Sequence, residues 1–243
     1  MDENTSKTIQ EASKATGKVA ELLAKVGEFV GNVIGPSVSE FAGMAGDWAA
    51  YIRMKNLCMI YDKVQDLQSA RSTLGKHTPI PTRLAIPLLQ AASNEDNEEL
   101  QEMWASLIVS ATDPENKFKL QKVHIGILAQ AEPLDAMLLK RMFINSVSTG
   151  SDISISIHLP TTTRMLEVSE DEVRYSLENL LRLGCIAYAN VIRPKQIDDA
   201  IETAKKYRSS GSEDLVYLLP SQSPPMTYRV TNIGRQLIKA CCG

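Results

Sequence analysis

Residues 93–112, SNEDNEELQEMWASLIVSAT, leave the chain little choice of fold. Leu100, Met103, Trp104, Leu107, Ile108 and Ala111 recur at helical spacing and make one wide apolar face. A face of that width needs a partner surface. The stretch is therefore expected to be the central helix of a helical domain, with Leu100, Met103, Trp104 and Leu107 in its core. Ser93 or Asn94 can cap its start, and Glu95, Asp96, Glu98 and Glu99 lie where a helix dipole favours negative charge. Asp113-Pro114 ends the run.

Five acids between Glu95 and Glu102 raise the question of a metal or acid–base centre. No His or Cys stands close in sequence to complete one, and the dipole accounts for acids in a first turn without any chemistry. His77, His124 and His158 are scattered and read as surface or loop residues. The sequence holds no phosphate loop, serine elbow or metal motif. Cys58, Cys185, Cys241 and Cys242 have neither metal-ligand spacing nor the density of a disulfide framework, and the terminal Cys-Cys-Gly lacks the prenylation form. Reduced thiols are the expectation. No catalytic residue, cofactor or metal ligand is expected, and the chain is read as a non-enzyme.

At 243 residues there is room for one large or two ordinary domains. A net charge of -3 gives no electrostatic footprint for nucleic acid. The polar, acidic start does not read as a secretory signal, and no uncharged apolar run reaches the length of a membrane span. A cytoplasmic location is expected, with membrane association on activation kept open.

Residues 1–8 read as a disordered start, and 9–146 as an all-helical domain. Val19, Leu22, Leu23, Val26, Phe29, Val30 and Val33 mark a first helix that Gly35-Pro36 breaks. A second helix is expected from Ser37 to about Leu74, a short one from Pro81 to Ala92, and two more at 123–131 and 134–145. Gly27, Gly31 and Gly35 stand four apart, the spacing that lets helix backbones approach closely in soluble pairs and in membranes. Lys25, Glu28, Glu40 and Asp47 interrupt the region, and each charge at a bilayer centre costs about 2.5–3.5 kcal/mol. A helix-packing face at Gly27, Gly31 and Gly35 is therefore preferred over a membrane-entering one, while an amphipathic segment lying in the interface stays open.

Composition changes at 146–152, which are rich in Ser, Gly and Thr. Ile153, Ile155 and Ile157 alternate as in a strand. A short helix is expected at 161–167, then one capped by Ser169 with Val173, Leu177, Leu180 and Leu181 inward and Leu183-Gly184 closing it. Strands are expected at 185–192, 215–219 and 228–231, with a last helix at 233–241. That order over 150–243 resembles a winged helix-turn-helix domain. The fold class expected is mainly α, an N-terminal helical bundle followed by a smaller α+β winged-helix-like domain. DNA binding is disfavoured: the would-be recognition helix carries Glu170, Asp171, Glu172 and Glu178 against Arg174 and Arg182, and residues 150–243 hold eleven basic and eleven acidic side chains. Association with a protein partner or with itself is the better expectation for this domain.

Several segments together also resemble a known family. They are Gly35-Pro36, Tyr51-Ile52-Arg53-Met54-Lys55-Asn56, Pro79-Ile80-Pro81, residues 86–93 (IPLLQAAS), Glu98-Glu99-Leu100-Gln101-Glu102-Met103-Trp104-Ala105-Ser106-Leu107, and residues 129–136 (AQAEPLDA). Over roughly residues 30–240 they are similar to the abortive infection alpha family of bacterial proteins. The resemblance implies defence against phage and no assigned catalytic residue. The function expected is non-enzymatic phage defence, by protein association or by perturbing a membrane. The alternative is a winged-helix transcriptional regulator that binds DNA.

Overall fold

Apolar stripes at helical spacing run through most of the chain, and most of its described residues are helical. The computed structural model describes residues 17, 20–33, 48–71, 77–149, 154–157, 159–189 and 226–242. The helices are α1 (20–33), α2 (Trp48–Ala70), α3 (Thr82–Ser93), α4 (Glu98–Thr112), α5 (Lys122–Leu128), α6 (Pro133–Thr149), α7 (Leu159–Leu166), α8 (Glu170–Arg182) and α9 (Asn232–Cys242). The strands are β1 (Ser154–Ile157), β2 (Ile186–Tyr188) and β3 (Met226–Val230). The expected start at 1–8, the Ser37 end of α2, Gly35, and the strand at 215–219 lie outside the described residues.

The chain divides into two compact units. One comprises Met1–Lys140 with Arg235–Gly243, the other Arg141–Gly234.

In the first unit α4 packs chiefly against α2, and α3 lies against α2 and α5. Phe29 and Val30 of α1, Leu57, Ile60 and Tyr61 of α2, Leu88 and Leu89 of α3, and Met103, Trp104, Leu107 and Ile108 of α4 are all buried, as are Leu237 and Ile238 of α9. Each such side chain removed from water is worth about 1.5–3 kcal/mol before conformational entropy is counted. Buried Asn56 of α2 donates to the Ser93 carbonyl at 3.0 Å, satisfying an end carbonyl of α3. The last turns of α9 join the same core, where the Ser110 hydroxyl donates to the Ala240 carbonyl at 2.8 Å.

The start of α4 differs from expectation. Its cap is Asn97, whose side chain accepts the Leu100 N–H at 3.2 Å. Ser93 closes α3 instead, its hydroxyl donating to the Gln90 carbonyl at 2.8 Å. Glu95 and Asp96 fall in the turn between the two helices, where the Glu95 carboxylate accepts the Asn97 N–H at 2.9 Å. The apolar run of α3 carries it one residue past Ala92, which moves the start of α4 down the polar cluster to Asn97. Helix α6 likewise runs through the Ser/Thr-rich residues to Thr149.

In the second unit, β1 and β2 both pair antiparallel with β3, giving the order β1-β3-β2. Ser154 stands opposite Arg229, and Tyr188 opposite Tyr228. Ser169 caps α8 as expected: its hydroxyl accepts the Glu172 N–H at 3.2 Å and the Glu172 carboxylate accepts the Ser169 N–H at 2.7 Å. These bonds hold the Glu172 carboxyl below its ordinary range. Val173, Leu177 and Leu180 are buried on the inner side of α8, and Leu181 is half-buried. Gly184, at φ +71°, ends the helix; it donates to the Leu181 carbonyl at 3.0 Å, and Cys185 donates to Leu180 at 3.0 Å. That pair of bonds needs a left-handed residue between them, which glycine supplies without strain.

Candidate functional site

A group of paired ionisable side chains lies along the exposed edge of α4. Helical spacing places Glu98, Glu99 and Glu102 on neighbouring turns. Lys140 of α6 sits 2.6 Å from Glu99 and 3.2 Å from Glu102. Lys63 of α2 sits 3.5 Å from Glu98 and 3.9 Å from Glu102. Burial pulls the Lys140 ammonium down, but its bonds to Glu99 and Glu102 outweigh that and raise its pKa. Glu102 thus ties α2 and α6 to α4, and the acids serve as ion-pair partners. Glu95 stands apart: burial raises its carboxyl, and the Asn97 N–H offsets part of the effect.

Behind this edge lies the buried face. Leu100, Gln101, Met103, Trp104, Ala105 and Leu107 are all buried. The Gln101 amide donates to the Glu95 carbonyl at 2.9 Å. The Gln101 Oε1 and Trp104 Nε1 atoms have no partner among the described residues. Of the glycines expected to form a packing face, Gly27 is exposed, Gly31 is half-buried and Gly35 lies outside the described residues. A β-carbon on Gly27 or Gly31 would meet nothing within 4 Å, so neither supports a close helix approach among the described residues. The apolar residues of α1 do the packing instead. Phe29 stacks on Tyr61 at 4.9 Å, Lys25 pairs with Asp62 at 2.6 Å, and the Tyr61 hydroxyl donates to Glu28 at 2.8 Å.

His124 corrects the reading of that residue as a surface or loop histidine. It is buried on α5, its ring 5.1 Å from Phe118, and its Nδ1 accepts the Gln121 N–H at 3.1 Å. Burial lowers its pKa, with the Gln236 side chain opposing. It stands at the third helical position and reaches back to the residue before the helix, a spacing that can be read from sequence. Asp135 was missed for the same reason. It is buried, and its carboxylate accepts the Glu132 N–H at 2.8 Å, while Pro133 occupies the first position of α6, where no N–H is needed. His77 is half-buried and lines a small pocket of about 10 Å³ together with Phe29, Asn32, Tyr61, Ile108 and Thr112. That is room for about one water molecule. His158 lies outside the described residues.

Among the described residues no three His, Cys, Asp or Glu side chains are placed to hold a metal ion, and no helix is long and apolar enough to cross a membrane. Cys58, Cys185 and Cys241 are buried, and burial raises the Cys58 thiol pKa.

The family described as abortive infection alpha matches residues 61–241. The chain belongs to that family. No curated protein and no solved structure matches it. Membership in the abortive infection alpha family suggests a role in defence against phage. In this abortive infection alpha protein, Leu100, Trp104, Ala105 and Leu107 form the inner face of α4, and Glu99 and Glu102 pair with Lys140 at its outer edge.

Proposed function

We propose that the protein is a non-enzymatic phage-defence component that acts in the cytoplasm through protein association, with its C-terminal unit built on a winged-helix plan. Family membership supports the defence role. The observation that carries the non-enzymatic reading is the pairing of Glu98, Glu99 and Glu102 with Lys63 and Lys140. Carboxylates held this way at a helix edge are spent on structure. The burial of His124 away from solvent points the same way.

The winged-helix reading draws on the order α6, β1, α7, α8, β2, β3 and on the central place of β3 in the sheet. In that plan α8 would be the recognition helix. Its first turn is Glu170-Asp171-Glu172, which would repel a phosphate backbone, so the unit fits a protein partner better than DNA. Membrane perturbation has less behind it, because Val26, Phe29, Val30 and Val33 of α1 are buried within the protein.

The test is expression in a bacterium followed by challenge with a broad panel of phages. Fewer plaques than in the empty-vector strain are expected for at least one phage class. Equal plaque counts throughout would remove the defence reading.

A further inference from the structure

We propose that the outer face of α8, together with β2, docks a second copy of this chain, which presents its residues 117–123. This deepens the protein-association reading and rests on it.

One half of the contact is the α8 face. Asp171, Tyr175 and Glu178 stand at i, i+4 and i+7 and so line one side of the helix. Tyr175 is 66% exposed, while Val173, Leu177 and Leu180 hold the opposite side in the core. Tyr188 on β2 is 62% exposed and stacks on Tyr228 with ring centroids 5.5 Å apart. Tyr228 lies within electrostatic reach of Arg174 and Glu178, so the stacked pair borders the same face. The nearby cations are engaged: Arg174 faces Glu170 at 3.8 Å, and Arg182 donates to the Asn179 side chain at 2.7 Å. Asp171 and Glu178 form no ion pair among the described residues. A single exposed tyrosine needs no explanation, but two beside two unpaired carboxylates make a surface suited to cations.

The other half is the connection between α4 and α5. The Asp113 carboxylate accepts the Glu115 N–H at 2.9 Å, and the Asn116 side chain accepts the Phe118 N–H at 2.9 Å. Phe118 is held against His124, so Lys117 and Lys119, its neighbours in an irregular extended stretch, are left on the outside. Both are exposed, as is Lys122 at the start of α5, and Val123 beside it is 39% exposed. None of the three lysines forms an ion pair among the described residues, and Glu115 is the exposed acid nearby.

Three exposed ammonium groups and an apolar side chain complement two exposed carboxylates and two tyrosine rings. The two surfaces differ, so the contact is head-to-tail. Each copy would keep one surface free, and assembly would grow with concentration instead of stopping at a symmetric dimer.

Sedimentation velocity on the full-length protein tests this. At low salt the mean mass should rise with concentration beyond that of a dimer. It should fall back as salt shortens the screening length from about 10 Å to about 3 Å. A face-deficient variant combines Asp171→Asn, Tyr175→Ala, Glu178→Gln and Tyr188→Ala; a loop-deficient variant combines Lys117→Gln, Lys119→Gln and Lys122→Gln. Each alone should stay monomeric, with affinity down about tenfold or more. All seven residues are exposed, and unchanged circular-dichroism melts would verify the fold. Mixed in equal amounts, the two variants should form a capped one-to-one pair, since one keeps the loop and the other the face. A wild type that stays monomeric at every concentration overturns the proposal and leaves the face to a foreign basic partner. Variants that fail to complement each other overturn it as well. Monomeric protein that still lowers plaque counts would remove self-association alone, whereas wild type without protection would remove the defence reading whatever sedimentation shows.

Discussion

Gly234 lies directly against the carbonyl group of Cys185, so close that a β-carbon on it would overlap the oxygen and stand 2.9 Å from the carbonyl carbon. The same oxygen accepts the Thr231 N–H at 3.0 Å. The Thr231 hydroxyl donates to the Gly184 carbonyl at 2.6 Å and accepts the Gly234 N–H at 3.0 Å, capping α9. The end of α8, the start of β2 and the first turn of α9 therefore meet at one point, and glycine is what lets them.

Gly234→Ala should cost about 1–3 kcal/mol, the usual penalty for forcing an atom into a packed site. The obstacle is backbone and cannot swing aside. Urea denaturation of the full chain reads it as a lower midpoint. A midpoint equal to wild type would mean that the approach is looser than described.

The ends of α7 and α8 make a matched pair. Glu167, at φ +56°, holds the place after α7 that Gly184 holds after α8, and Val168 donates to the Thr163 carbonyl at 3.2 Å as Cys185 does to Leu180. A left-handed backbone strains any residue with a β-carbon by about 1–2 kcal/mol. Glu167→Gly should stabilise by about 0.5–1 kcal/mol. Gly184→Ala, which meets no atom within 4 Å, should destabilise by about 1 kcal/mol through backbone strain alone. Opposite shifts in melting temperature are expected; shifts of the same sign would contradict the assignment.

The carboxylates of α4 separate a structural edge from a reactive one. Glu99→Gln and Glu102→Gln remove half-exposed ion pairs and should change stability by no more than about 1 kcal/mol. Plaque protection should survive both. Lost protection in a folded variant would argue for chemistry at these groups.

Acid should weaken the protein through His124. Its pKa is lowered on folding, mainly by burial, so its contribution is fully present above the unfolded value of about 6.5 and is lost as pH falls through the lower folded one. Glu95 runs the other way. Its raised folded pKa gives a contribution present below about 4.3 and lost as pH rises through the folded value. Urea midpoints between pH 7.5 and 5 should fall for wild type and fall less for His124→Gln. Glu95→Gln should gain stability at neutral pH. A midpoint for His124→Gln that tracks wild type would exclude the histidine as the cause.

The helices were legible because burial on one face leaves a period: the inner residues of α4 and α8 could be listed before any coordinates. The cap at Ser169 could be read for a similar reason, since its Glu172 partner lies three residues on. Asn97 was hidden behind Ser93 and Asn94, which offer the same chemistry a turn earlier, and only the extent of α3 decides among them. Lys63 and Lys140 could not be assigned to Glu102 from sequence, because the pairing depends on which helices lie side by side. The glycine series at 27 and 31 suggested close packing, yet the phenylalanine and valines beside it carry the contact. His124 and Asp135 each stand three residues after the N–H they accept, a spacing visible in the sequence, but neither pair has the usual Ser/Thr-to-Glu form that draws the eye.

The bond from Ser110 to Ala240 spans 130 positions, and the unit it belongs to is assembled from both sides of the residues 141–234. During synthesis the first 140 residues leave the ribosome long before the helix that completes their core. Until α9 has been made, the apolar surface that Leu237 and Ile238 cover in the first unit stays open. A chain stopped before α9 would lack Leu237, Ile238 and the bond from Ser110 to Ala240, and its first unit would hold a less complete core.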